Sequence, residues 1–79
     1  MPKHIFIGDL SITTTSATLN TEFDPYGTIV SLDLHADPAG GPSTADCVYT
    51  TDQAGTDAIA GKNGARIDGS VITVTAATS

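Results

Sequence analysis

The sequence predicts an α+β fold in which four strands and two helices follow one another in the order β-α-β-β-α-β. Two short segments, 3–8 and 45–50, alternate between side chains of different character and are rich in β-branched, aromatic or small apolar residues, as strands are. Two other segments begin with a hydroxyl or carboxylate residue that is suited to a helix N-terminus, and their apolar residues recur at helical spacing. Turn-forming residues separate these segments.

The first half of the chain supplies a strand, a helix and a second strand. Lys3 to Gly8 is the first strand. Thr15 is suited to cap a helix whose apolar residues between 19 and 26 fall at i, i+4 and i+7. Gly27 ends this helix. Apolar residues between 29 and 34 then mark the second strand.

The second half supplies a loop, a strand, a helix, a turn and a last strand. Thr51 or Asp52 caps the helix, which ends at Asn63-Gly64. The loop lies at 37–42, the third strand at 45–50, the turn at 68–69 and the last strand at 71–75. The whole order is that of the ferredoxin-like split βαβ sandwich, a four-stranded antiparallel sheet with both helices on one face. We expect a single domain over residues 1–79.

Charge limits the partners of this chain. Three basic residues accompany nine acidic ones, and the formal net charge is −6. Proteins bind a phosphate backbone largely by neutralising it with Lys and Arg, so strong nucleic-acid binding is not expected here. The sequence has no apolar run of the length that spans a bilayer and no leader-like segment, so we expect a soluble, monomeric protein of unknown location.

Chemistry-bearing residues are few. Cys47 is the one cysteine, so we predict a small buried side chain rather than a disulfide, zinc ligand or nucleophile. His4 and His35 stand alone in the sequence and are predicted to be unconnected surface residues. The acidic residues Asp33, Asp37 and Asp46 are the best candidates for a cation site, but a solvated surface is the favoured interpretation. We therefore expect no catalysis, no metal and no cofactor.

Four segments in register resemble one known family. They are the hexamer Ile5-Phe6-Ile7-Gly8-Asp9-Leu10, the pattern from Leu19 to Ile29, Ala58-Ile59 followed by Asn63-Gly64, and the segment from Ile67 to Val74. Together they look like the RNA-recognition motif (RRM) family over nearly the whole chain. The resemblance implies the fold predicted above and an RNA-binding face on the open side of the sheet.

The third strand departs from the family pattern. The family octamer reads K/R-G-F/Y-G/A-F-V-x-F/Y, whereas this chain has the segment Pro42 to Tyr49. By strand alternation, Ala45, Cys47 and Tyr49 point to the helices. The two positions at which the family presents stacking aromatics are Thr44 and Asp46. By this resemblance the RNA-face positions are Phe6, Thr44 and Asp46, and only Phe6 is aromatic.

Three functional hypotheses follow from these departures. The first is a designed or redesigned RRM-fold scaffold with no evolved ligand and with RNA binding lost, which the preponderance of Asp over Glu also suggests. The second is a natural, divergent RRM that acts as a protein–protein interaction module. The third is weak binding of single-stranded RNA through Phe6. We expect RNA affinity no tighter than about 100 μM at physiological salt, because the cationic contribution is missing.

Overall fold

A computed structural model describes residues 2–77 of the chain. The helices are α1 and α2, and a short 3-10 turn follows α1 directly; their bounds are Ser16–Phe23, Asp52–Lys62 and Asp24–Tyr26. The strands β1 to β6 are Lys3–Leu10, Ile29–His35, Ser43–Tyr49, Arg66–Ile67, Ser70–Val71 and Thr73–Ala76.

The four long strands form one antiparallel sheet in the order β2-β3-β1-β6. Both helices pack on the same face of this sheet, and the predicted ferredoxin-like α+β fold is confirmed. The two central strands, β1 and β3, are adjacent although they are distant in the sequence. Their centre is therefore the place where side chains from both halves of the chain meet.

The core lies between the sheet and the helices. Inward-facing residues of the central strands, such as Ile5, Ile7 and Cys47, are fully buried against α1 residues Leu19 and Phe23. Helix α2 contributes small residues, chiefly Ala54 and Ala58. Small side chains on α2 bring that helix close to the sheet, so the core is thin but closed.

Both helices begin as the sequence predicts. The Thr15 hydroxyl accepts a hydrogen bond from the Thr18 amide at 3.3 Å, and the Thr51 hydroxyl accepts one from the Ala54 amide at 3.2 Å. These bonds satisfy amides that have no partner within the first turn. Thr51, rather than Asp52, is therefore the N-cap of α2.

The ends of β1 and α1 differ from the prediction. Strand β1 continues past Gly8 to Leu10, with a bulge at Asp9, whose φ of 58° is left-handed. Helix α1 ends at Phe23 rather than at Gly27. The 3-10 turn Asp24–Tyr26, which contains Pro25, follows it, and Gly27 caps that turn. A 3-10 turn is a common way for an α-helix to end, because it tightens the last turn.

The predicted last strand is divided into two. Ser70–Val71 pairs with Arg66–Ile67 in a small hairpin, and Thr73–Ala76 pairs with β1 in the main sheet. Asp68 and Gly69 form the hairpin turn with φ values of 50° and 82°. A two-residue turn with both φ values positive favours an Asp-Gly pair, because Gly and Asp tolerate that conformation.

Candidate nucleic-acid interface

The open face of the sheet is formed by the outward side chains of four strands. In β3 the side chains alternate strictly, with Ala45, Cys47 and Tyr49 buried and Thr44 and Asp46 half-buried on the other side. The predicted orientation of β3 is therefore confirmed. The residues at the two positions where the family presents aromatics lie on the open face.

Phe6 lies at the centre of this face. It is 38% exposed and pairs with Asp46 of β3 on one side and Thr75 of β6 on the other. A Cβ atom at Gly8 would lie 3.4 Å from the Phe6 ring and 2.8 Å from the Thr73 hydroxyl. The absence of a side chain at Gly8 therefore leaves room beside the edge of the Phe6 ring.

Asp46 is the centre of a hydrogen-bonded group that joins three strands. Its Oδ1 lies 3.1 Å from Nε2 of His4 in β1, and its Oδ2 lies 3.1 Å from Nε2 of His35 in β2. An ionised carboxylate only accepts hydrogen bonds, so each imidazole donates from Nε2–H. We call His4, Asp46 and His35 the His–Asp–His cluster.

The cluster corrects one prediction. His4 and His35 were expected to be unconnected surface residues, but both bond the same carboxylate on the open face. They are 42 and 11 residues from Asp46 in the sequence, so proximity along the chain gave no signal. Alternation could have placed His4 on the face of Phe6, because the two are separated by one residue in a strand.

The open face is acidic when both imidazoles are neutral. Asp33 of β2 pairs directly with Asp46, so two carboxylates lie on adjacent strands. In the part of the chain that the structure describes, no Lys or Arg lies on this face. The Lys3 stem runs along α2 at Gly55, and Lys62 pairs with Glu22 at 2.6 Å, both on the helical side.

Arg66, the remaining cation, lies outside the four-stranded sheet. It is exposed in the small β4–β5 hairpin, opposite Val71. The face therefore offers aromatic rings and hydrogen-bonding groups, but no permanent positive charge to meet a phosphate.

The chemistry of other candidate residues is limited. Cys47 is fully buried, and desolvation raises the pKa of its thiol to about 11, which a hydrogen bond with Tyr49 partly opposes. The Asp37 carboxylate in the β2–β3 loop accepts a hydrogen bond from the Ala39 amide at 2.9 Å.

Within residues 2–77, no three His, Cys, Asp or Glu residues are arranged to hold a metal ion. Over the same range, no helix has the length and apolar character needed to cross a membrane.

The sequence belongs to the RNA recognition motif family. The family model matches residues 5–73, which include both helices, most of β1, all of β2 to β5 and the first residue of β6. No curated protein sequence matches the chain significantly.

Solved structures of similar fold include several RRM domains. The RRM3 domain of Pes4 is 26% identical with a TM-score of 0.90, and the match covers 98% of this chain and 93% of that one. The RRM3 domain of Mip6 is 22% identical with a TM-score of 0.89, over 96% and 93% of the two chains. The Sxl-lethal protein, solved as an RNA complex, is 26% identical with a TM-score of 0.84, over 95% of this chain and 47% of that one.

Proposed function

We propose that this domain binds single-stranded RNA weakly through the open face of its sheet, with Phe6 as the central stacking residue. The observation that carries the proposal is the exposed Phe6 ring at the middle of the sheet, with an imidazole on each side of Asp46. Family membership supports it, as does the RNA complex formed by the similar Sxl-lethal protein.

The two histidines add to the stacking surface that the sequence suggested. Imidazole rings, like phenyl rings, stack on unpaired bases. His4 shares β1 with Phe6, and His35 lies two strands away, so the aromatic rings span β1 to β2. Asp46 holds both imidazoles by hydrogen bonds, which lowers the entropy lost when a base stacks on them. This arrangement partly replaces the aromatics that β3 lacks.

Electrostatics keep the proposed affinity low at neutral pH. Asp33 and Asp46 place two carboxylates under the RNA, and the net charge of −6 opposes the approach of a polyanion. The expectation of binding no tighter than about 100 μM at physiological salt stays a prediction for this pH.

Of the other two hypotheses, the designed scaffold gains no support from the fold, the open face or the relatives. A natural, divergent RRM is compatible with all three, but no particular surface of residues 2–77 favours a protein partner over RNA. Single-stranded RNA is therefore the ligand that the open face favours.

The test is an NMR titration of the ¹⁵N-labelled domain with a short oligouridine at low salt. We expect amide shifts concentrated in β1 and β3, and saturation that Phe6→Ala weakens by about 5- to 150-fold, since stacking contributes about 1–3 kcal/mol per base. Val71→Ala is the matched control, because Val71 is also an exposed apolar residue but lies in the small hairpin. Equal affinity of wild type and Phe6→Ala would refute the proposal.

A further inference from the structure

We propose that His4 and His35 form a phosphate-binding site on the open face that operates only when both imidazoles are protonated, so that RNA binding strengthens at acidic pH. The inference builds on the proposed function, since it adds a phosphate contact to the same face. It rests on the geometry of the His–Asp–His cluster and on the identity of the nitrogen atoms that the cluster uses.

The cluster leaves the second nitrogen of each ring available. Both contacts to Asp46 are made by Nε2, at 3.1 Å, and the Nδ1 atoms take no part in them. In a neutral imidazole that donates from Nε2, the Nδ1 atom carries a lone pair and is an acceptor. A phosphate oxygen is also an acceptor, so the neutral face has nothing to offer it at these positions.

Protonation changes both the charge and the hydrogen bonding of the face. Each imidazolium keeps its Nε2–H bond to Asp46 and gains an Nδ1–H donor. The two positive charges compensate the two carboxylates of Asp33 and Asp46, so the net charge of the four groups rises from −2 to zero. Hydrogen bonds from charged donors to phosphate are among the stronger ones in proteins.

The groups that face the cluster come from three strands. They are His4 from β1, Asp46 from β3, and Asp33 and His35 from β2. The neighbouring open-face residues of β6 are Thr73 and Thr75, which do not titrate. Histidine is the side chain that ordinarily changes charge between pH 5 and 8.

The surroundings leave the Nδ1 atoms accessible to a ligand. The side chains of His4 and His35 are 30% and 56% exposed among residues 2–77. Phe6 lies two residues from His4 on the same face of β1, and it pairs with Asp46 of the cluster in β3. The proposed phosphate contacts are therefore next to the proposed stacking residue.

The experiment measures oligouridine affinity by fluorescence anisotropy at constant ionic strength, at about pH 8 and about pH 5.5, which bracket most of the histidine titration. For the wild type we expect affinity to rise about tenfold or more at the lower pH, since a net hydrogen bond to a charged group contributes about 1.5–3 kcal/mol. The rise should also weaken as salt is added.

The matched variant is His4→Phe with His35→Phe, which keeps two rings for stacking but removes both protonation sites. The chain has two histidines, so this variant contains none. We expect its affinity to be the same at both pH values. If it does not fold, as judged by circular dichroism, His4→Gln with His35→Gln serves in its place.

The outcomes separate this inference from the proposed function. A wild type that binds equally at both pH values, or a histidine-free variant that keeps the pH dependence, overturns the phosphate site while leaving Phe6 stacking intact. Conversely, pH-dependent binding that Phe6→Ala does not alter supports the phosphate site and refutes the stacking function. Loss of the pH effect on adding EDTA would also overturn the inference, since it would show that a metal ion, not the imidazolium, mediates binding.

Discussion

Replacing Asp46 should reveal how much RNA affinity this one side chain removes. Asp46 lies beside Phe6 on the open face, at a position where the family presents a stacking aromatic, and Thr44 occupies the other such position. We expect the double variant Asp46→Phe with Thr44→Phe to bind oligouridine more tightly than the wild type. Asp46→Asn is the matched control, because it removes the charge but keeps the shape of the side chain.

The expected magnitudes of the two changes differ. A carboxylate about 7 Å from a phosphate in water repels it by about 0.6 kcal/mol, so Asp46→Asn should improve affinity by about threefold. Each new stacking contact adds about 1–3 kcal/mol. The double Phe variant should therefore bind at least about tenfold more tightly than Asp46→Asn. Both variants disturb the hydrogen bonds of His4 and His35, the double Phe variant more than Asp46→Asn, because the Asn amide keeps one acceptor oxygen.

The assay is fluorescence anisotropy at about pH 8, where the contribution of protonated histidine is smallest. The ratio between the double Phe variant and Asp46→Asn should change little with salt, because stacking releases no counterions. If the double Phe variant binds no better than Asp46→Asn, then stacking on β3 does not limit affinity. The reasoning from the third-strand residues would then be refuted.

Two further predictions concern stability. Gly55→Ala should destabilise the domain in urea denaturation, although alanine has the higher helix propensity, because the new Cβ atom would clash with Cγ and Cβ of Lys3. Adding Lys3→Ala should recover part of the lost free energy of unfolding, because it removes Cγ of Lys3. For Cys47, burial raises the pKa of the thiol from 9.0 to about 11, so the folded state favours the neutral form. The free energy of unfolding should fall by about 2 kcal/mol as pH rises from 9 to 11, and Cys47→Ala should show a smaller fall, whereas an equal fall would exclude the thiol as the cause.

The fold and the orientation of β3 could be predicted because they depend on local patterns. Alternation in a strand places every second side chain on one face, and a shift by one residue would bury Asp46 and expose Tyr49. Only one orientation of β3 gives a favourable core, so the sequence specifies it strongly. Tyr49 is indeed buried, and its hydroxyl donates to the Phe23 carbonyl at 2.5 Å.

The His–Asp–His cluster could not be predicted in the same way. It depends on the relative register of three strands, which is set by turns, by the bulge at Asp9 and by a second irregularity between Ile29 and Ser31. An error of one residue in either pairing would separate the imidazoles from Asp46. Spacing along the chain carries no information about such register, so each histidine looked isolated.

Gly55 shows a second limit of sequence patterns. The low helix propensity of glycine, taken alone, predicts that Gly55→Ala would stabilise α2. In the structure, that missing side chain lets the aliphatic stem of Lys3 lie against the helix. The local preference of the helix and the packing of the sheet on it therefore predict effects of opposite sign for Gly55→Ala.

Asp46 connects the stability of the sheet to its proposed ligand. A carboxylate next to Asp33 on an adjacent strand is unfavourable by itself, since like charges on paired residues repel. Two hydrogen bonds from His4 and His35 offset that repulsion, and protonation of either ring offsets it further. The same protons that relieve the repulsion within the sheet supply the donors proposed for phosphate. Protonation of the two imidazoles would supply these donors in place, so a gain in affinity at low pH needs no rearrangement of the strands.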